Sequence, residues 1–454
     1  MTEPQPPAAS DYDESSGDRP LSRKFEPVTI TERNTAIDTV RGVAVLGILV
    51  INIYFFALPM PVFMNPPLAG GFTGLNLLTW EVTSLFFYQK MMAIFSMLFG
   101  AGLILMANRA EANQKRFGGV YYRRLFWLLL IGLAHAYLLW YGDILFSYAI
   151  CGLLLYPLRR RSPRLLIILG VIVLVIGILL QSGMGMFSGM IRDRGTAAEI
   201  SQTAGETLTP DQKMWLEIWS QVRTSFEPPP SVIEAEVTAY QGSFSQNFAY
   251  RFPVTLIMQT QAFLFMVFCR VLGLMLLGMA LMKLGVFSGE RSDKFFFGCI
   301  AVGYAVGLPL VATTVYLNME TGFDFVYILT IGGHFDYIGS IFVALGHTGV
   351  IMIAVRKRLL ARLTGYLAAV GRMALTNYLM QTIICTAIFY GFGLGLFGQV
   401  DRFALMGFVL GIWVLQLFLS PLWLTYFRFG PAEWLWRTLT YWRLQPMKAE
   451  SPTQ

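Results

Sequence analysis

"RRLFWLLLIGLAHAYLLWYGDILFSYAICGLLLYPLRRR", residues Arg123 to Arg161, decides how this chain is built. Read as one helix, its apolar part from 125 to 158 would be about 50 Å long, against a hydrocarbon core of about 30 Å. Arginines flank both ends, and Tyr141-Gly142-Asp143 interrupts the middle. Two spans, 125–141 and 143–158, joined by a turn at Gly142, place both basic ends on one side of a membrane.

The rest of the chain repeats this pattern. Apolar runs long enough to cross a bilayer lie at 42–59, 85–107, 165–187, 256–282, 295–317, 335–355, 366–391 and 403–427, which with the hairpin makes ten. Segments 108–124, 158–164, 283–294 and 356–365 are dense in Lys and Arg, whereas 60–84 and 318–334 contain neither. The positive-inside rule then predicts an all-α polytopic membrane helix bundle of about ten transmembrane helices, with both termini cytosolic. The expected organisation is a disordered cytosolic tail (1–36), a first membrane region with helices 1 to 5 (37–187) and an extracytoplasmic loop (188–255). A second membrane region with helices 6 to 10 (256–427) and a cytosolic tail (428–454) complete it. Residues 188–252 mix five basic with eight acidic residues and are numerous enough to escape the charge rule. Within them "MWLEIWSQV", Met214 to Val222, suggests an amphipathic helix on the membrane surface.

Composition agrees. Of 454 residues 55% are hydrophobic and only 13% charged, against about 25% charged in soluble domains. The net charge of +7 resides in short loops, so it implies a lipid bilayer and no nucleic acid as partner. Cys151, Cys269, Cys299 and Cys385 lie in apolar runs without CxxC spacing, which argues against a disulfide framework or a zinc site. The first 30 residues or so are rich in Pro, Ser, Asp and Glu and lack the apolar core of a secretory signal. Targeting therefore falls to the first membrane helix.

Ionisable groups inside membrane spans are costly and face a partner or a cavity. Asp38 and Arg41 stand at the inner end of the first span, and Asn52 lies eleven residues beyond Arg41, near the same face and about 16 Å further along the axis. Lys90 lies in the second span, His135 in the third, Asp143 at the hairpin turn and Arg270 in the sixth. His334, Asp336 and His347 belong to the eighth, and Arg372 opens the ninth. Plain structural roles exist for most of them. Asp38 and Arg41 pair at the interface, Asp143 caps a helix, Lys90 and Arg372 hold helices together, and a lone His packs by hydrogen bonding. Arg270 has no acidic neighbour in its own helix, so it pairs across helices, snorkels or binds an anion. His135 stands out because its apolar setting offers few competing partners.

The sequence contains no GxSxG elbow, HExxH zinc helix or phosphate-cradling GxxxxGK[ST]. With three widely spaced histidines, no metal site and no tightly bound cofactor are expected. The segments "LFGAGL" and "GFGLGLFG" read as close helix packing.

"RNTAIDTVRGVAVLGILVINI", "FFYQKMMAIFSMLFGAGL", "GLAHAYLLWYGDILFSYAICGLLLYPLR", "GRMALTNYLMQTIICTAIFYGFGLGLFG" and "FRFGPAEWLWRTLTYWR" resemble successive blocks of the YeiB-like bacterial membrane proteins, the family of domain of unknown function 418. The resemblance spans nearly the whole chain outside the N-terminal tail and the 188–252 loop. That family is distantly similar to transmembrane acyltransferases, among them the heparan glucosaminide N-acetyltransferase-like enzymes and the acyltransferase-3 proteins. The resemblance implies a bacterial inner-membrane location, a cytosolic acyl-CoA as co-substrate, and a sugar or another hydroxyl or amine acceptor on the far side. Acyltransferase-3 proteins carry an Arg, ten residues, then a His in the first helix. Arg41 matches the arginine, but Asn52 stands at the histidine position. Asparagine cannot act as a general base, which transfers the expected catalytic role to His135, with Asp143 as its orienting group.

In this reading Asp38, Arg41 and Asn52 line a polar path for the donor, and Arg270 and His347 are further substrate-binding candidates. The arginines at 123, 124 and 159–161 would attract donor phosphates. The alternative is a transporter or permease for a small metabolite, its two five-helix halves inverted in the membrane. No similarity between residues 42–187 and 256–427 supports that division. A homo-oligomer is compatible with either.

Overall fold

The computed structural model describes residues 35–114 and 116–449, so most of the tail expected to be disordered lies outside the described residues. The chain starts with α1 (Thr35–Ala57) and the short α2 (Pro61–Met64), followed by α3 (Leu75–Phe86) and α4 (Lys90–Ala112). The hairpin forms as α5 (Gly118–Ala134), a π-helical turn over His135–Leu139, and α6 (Leu145–Leu155). Beyond it come α7 (Pro163–Thr203), α8 (Pro210–Phe226), α9 (Pro230–Gln241) and α10 (Phe244–Ile257). A π-helical stretch, Met258–Val267, carries α10 into α11 (Phe268–Lys283). Next are α12 (Asp293–Glu320), α13 (Phe325–Tyr327), a second π-helical turn over Ile328–Gly332, and α14 (Gly333–Arg356). Last are α15 (Ala361–Arg372), α16 (Ala374–Phe389), α17 (Arg402–Tyr426) and α18 (Pro431–Tyr441).

The molecule is an all-α membrane bundle. Among the described residues seven helical segments are individually long and apolar enough to cross a bilayer. The other three of the ten apolar runs are interrupted helices. Residues 125–141 break at the π turn and the extended Trp140, 143–158 ends in a 3-10 turn at Tyr156, and 366–391 breaks at Met373 between α15 and α16. Irregular backbone at membrane depth is tolerated where protein covers it, and His135, Trp140 and Met373 are all buried.

Burial sorts the helices by position. The most apolar window of α1 is 67% buried, whereas those of α7 and α12 are 22% buried and turn Leu179, Val175 and Val302 outward to lipid. The centre is α1, α4 and α11, packed through glycines. A side chain at Gly100 would strike the Met275 carbonyl, one at Gly278 the Met97 carbonyl, and one at Gly42 the Leu367 carbonyl. The reading of "LFGAGL" as close packing therefore holds at Gly100. "GFGLGLFG" does not form a packed helix: α16 stops at Phe389, and Gly395 and Gly398 take φ of +69° and +76° in the turn that follows.

The loops sort by charge. At one end Arg160 meets Glu111 at 3.5 Å, Lys283 Nζ donates to the Arg161 carbonyl at 2.8 Å, and Asp293 receives Arg356 and Lys357 at 2.8 and 2.7 Å. α18 docks at the same end of α5: the Trp436 indole donates to the Arg124 carbonyl, and Arg124 stacks on that ring at 3.7 Å. The segment expected as a tail is thus partly a packed helix. At the other end the segments poor in Lys and Arg meet one another. Met60 N–H donates to Glu236, Gly398 N–H to the Ala57 carbonyl, and Arg402 N–H to the Gly70 carbonyl.

The 188–255 stretch is also helical. α7 has 41 residues, about 60 Å of helix, so its second half projects beyond the bilayer. The expected amphipathic helix forms as α8, begun by a Thr209–Gln212 capping box. Its Trp219 packs at Gly195 of α7 and beside Phe325, and its apolar face is covered by protein there.

Candidate functional site

The hairpin sequence turns so tightly that His135 and Asp143, eight residues apart, face each other. Asp143 follows Gly142, and its Oδ1 accepts the Phe146 N–H at 2.7 Å, capping the start of α6. Its Oδ2 lies 2.8 Å from His135 Nδ1, so capping and contact with the imidazole are carried by different oxygens. The other ring nitrogen, Nε2, lies 2.9 Å from Thr382 Oγ1 on α16. A carboxylate at Nδ1 fixes a proton there, which leaves Nε2 as acceptor for the threonine hydroxyl. His135 is 2% exposed, with Tyr378 beside it and the Trp140 indole near its edge. The chain carboxylate–imidazole–hydroxyl is the arrangement a general base needs. His135 and Asp143 could be singled out from sequence; Thr382, 247 residues from His135, carried no signal.

The first-helix candidates do not join this group. Asp38 and Arg41 form an i,i+3 ion pair at 2.7 Å at the end of α1. Asn52 is half-buried, and the face between it and Arg41 carries Val45 and Ile48. That face is apolar. Arg270 resolves its lack of an acidic neighbour by pairing across helices. Its Nη1 donates to the Tyr337 carbonyl at 2.7 Å, its Nη2 to Ser340 Oγ at 2.6 Å, and the guanidinium lies 4.4 Å from the Tyr337 ring centre. His347 is held on both sides: Nε2 donates to the Phe86 carbonyl at 3.0 Å, and Nδ1 accepts from Tyr304 Oη at 2.8 Å. Both therefore have helix-joining partners.

A second constellation lies at the end poor in basic residues. Lys90 Nζ, fully buried, contacts Asp336 Oδ1 at 2.6 Å and the Ser84 carbonyl at 2.7 Å. Lys90 thus has the structural partner expected of it, on the helix that also receives Arg270. Among the described residues Asp336 Oδ2 has no hydrogen-bond partner. Asp336 lines a cavity of about 150 Å³ together with Tyr54, Trp80, Gln89, Asn318, Tyr337 and Arg402, among others. The π-helical turn Ile328–Gly332 borders this cavity through Ile328 and Leu329; such turns recur at functional sites. His135 and Asp143 do not line it. Ile51 and Tyr54 of α1 border the cavity, whereas Ile53 and Phe56 pack with Trp140 on the hairpin side. The two sites lie on opposite faces of α1.

Fold and sites define a multi-pass α-helical membrane protein whose bundle holds an oriented histidine, a buried ion pair and a cavity. The chain belongs to the YeiB-like family, the DUF418 membrane proteins. The family model described as "Protein of unknown function (DUF418)" matches residues 281–443. The chain is 32% identical over 415 residues to uncharacterized protein YeiB of Escherichia coli (strain K12), covering 90% of this chain and 96% of that protein. It is 29% identical over 433 residues to uncharacterized protein YxaH of Bacillus subtilis (strain 168), covering 93% of this chain and 98% of that protein. No solved structure matches.

Proposed function

We propose that this chain is an acyltransferase of the bacterial cytoplasmic membrane, moving an acyl group from a cytosolic acyl-CoA to an extracytoplasmic hydroxyl or amine acceptor such as a sugar. The observation that supports it is the hydrogen-bonded chain from Asp143 through His135 to Thr382. The acceptor takes the place of the Thr382 hydroxyl at Nε2. Its proton passes to His135 as its oxygen or nitrogen attacks the thioester carbonyl. The C–S bond then breaks, and the imidazolium returns the proton to the departing thiolate, giving acylated acceptor and free CoA. Asp143 holds the ring and stabilises the imidazolium. Arg41 and Arg123, at the end rich in basic residues, supply positive charge for donor phosphates. Because His135 is buried, entry requires the Tyr378 or Trp140 side chain to swing aside.

Purified protein in nanodiscs, given acetyl-CoA or longer acyl-CoAs with a panel of sugars and amines, should release free thiol. His135→Ala should lower that release about 10²–10⁴-fold while the protein still folds. Full activity in a folded His135→Ala variant would remove His135 from the mechanism. The permease reading is favoured by one observation, the cavity on the other face of α1; transport would move a solute unmodified.

A further inference from the structure

The inward face of α10 is polar. Its buried residues are Asn247, Arg251 and Thr255, spaced i, i+4 and i+8, while Phe252, Leu256 and Ile257 of the same helix are exposed on its outer side. A buried guanidinium is costly unless its N–H groups find partners. Arg251, 1% exposed, directs its group at the hairpin that carries His135. Its Nη1 donates to the Leu139 carbonyl at 2.8 Å and its Nη2 to the Leu138 carbonyl at 3.5 Å. Its Nε donates to Asn247 Oδ1 at 2.5 Å, which aims the side chain, and the Tyr390 ring centre lies 5.8 Å from the guanidinium carbon.

Leu138 and Leu139 end the π-helical turn that begins at His135. The last four carbonyls of a helix lack intrahelical donors and carry the negative end of its dipole. A buried cation therefore fits there without a carboxylate. The turn closes with the Trp140 N–H on the His135 carbonyl at 2.9 Å, after which Trp140 is extended and the chain returns to Asp143. Arg251 thus grips the far end of the five residues whose first member is His135.

We propose that Arg251 is a positioning residue of the His135 site. By holding the Leu138 and Leu139 carbonyls it keeps the π turn wound, and so keeps Nδ1 on Asp143 and Nε2 facing Thr382. Its effect on transfer rests on the acyltransferase reading; its effect on the imidazole does not.

The test is solid-state NMR of the full chain in lipid bilayers, with histidine labelled at the ring nitrogens, alongside thiol release measured as above. The chain has three histidines, and the His135 resonances are those lost in His135→Gln. Wild type should show one neutral tautomer at His135, protonated at Nδ1. Arg251→Met keeps most of the side-chain length but removes its charge and donors. In that variant a second tautomer, protonated at Nε2, should appear. Its kcat for thiol release should fall about tenfold to a hundredfold, with KM for acetyl-CoA unchanged, because the donor charges lie at the other end of α5. Arg251→Lys keeps a cation at the helix end and should restore most of the Nδ1–H form. An arginine that only stabilises the fold would lower the yield of folded protein and leave these readouts of the folded fraction unchanged. The proposal is overturned by a single Nδ1–H tautomer in folded Arg251→Met, or by wild-type kcat in that variant. If Arg251→Met does not fold, Asn247→Leu takes its place, since it leaves the guanidinium but removes the group that aims it. The second tautomer is expected there too, and wild-type resonances overturn the proposal. No thiol release from wild type defeats the acyltransferase reading alone, and the tautomer measurement still decides this one.

Discussion

Lys90 is an ammonium without exposed surface, and the Asp336 carboxylate is the anion it contacts. Removing one member of such a pair strands a buried charge, at about 3–5 kcal/mol, whereas replacing both with apolar groups is often close to neutral. Lys90→Met should therefore lower the unfolding midpoint in detergent steeply, and Lys90→Met combined with Asp336→Leu should recover most of the loss. Additive losses in the double variant would mean the two side chains are not coupled. This pair shows where residue-scale reading of the sequence stops. Lys90 and Asp336 were both visible as costly groups in apolar runs, but 246 residues separate them and nothing local indicates their contact. His135 and Asp143 were legible because the hairpin turn alone brings them together. Thr382 was not, because a threonine in an apolar helix satisfies itself through its own backbone and gives no sign of a partner.

At the scale of elements, glycines set how closely helices approach. Gly100→Val should force α4 and α11 apart, since its side chain would meet the Met275 carbonyl, at a cost of about 1–3 kcal/mol. Gly102→Val is the control, because among the described residues nothing lies within 4 Å of a Cβ there. Thermal unfolding of the two variants measures the difference; equal midpoints would show that the crossing is not tight. The docking of α9 onto the α1–α2 connection adds a pH dependence. Burial raises the Glu236 carboxyl to about 7 from 4.5, against the lowering effect of the Met60 N–H. The folded state thus favours the protonated form. Its contribution is fully present below about 4.5 and is lost as pH rises through about 7. Hydrogen exchange over residues 58–64 and 230–241, corrected for intrinsic rates, should accelerate across that upper range. Glu236→Gln should abolish the acceleration, and an unchanged profile would rule out Glu236 as its source. The amphipathic stretch Met214 to Val222 made α8 legible in sequence, and the Thr209–Gln212 capping box marks its start in the structure. The reach of α7 past the bilayer was not legible, because its second half is polar and takes its burial from α8.

For the whole molecule, the separation of basic from non-basic loops predicts sidedness. Ser231→Cys should react with an impermeant maleimide applied outside intact cells, and Lys294→Cys only after permeabilisation. The reverse labelling would invert the topology. The sequence marks ten apolar runs, and seven segments satisfy length and hydropathy on their own. The three interrupted ones lie where protein covers the chain, and between them they hold His135, Asp143 and Thr382, one in each. Breaks of that kind depend on tertiary contacts, so apolar run length alone does not reveal them.

The measurement that tests the central claim most directly is transfer of a labelled acetyl group across a membrane. Proteoliposomes would carry acetyl-CoA on the side of the basic loops and acceptors on the other, comparing wild type with His135→Gln. The account predicts acetylated acceptor with wild type and a loss of at least about a hundredfold in the variant. No labelled product with wild type, or equal product from a folded variant, would contradict it.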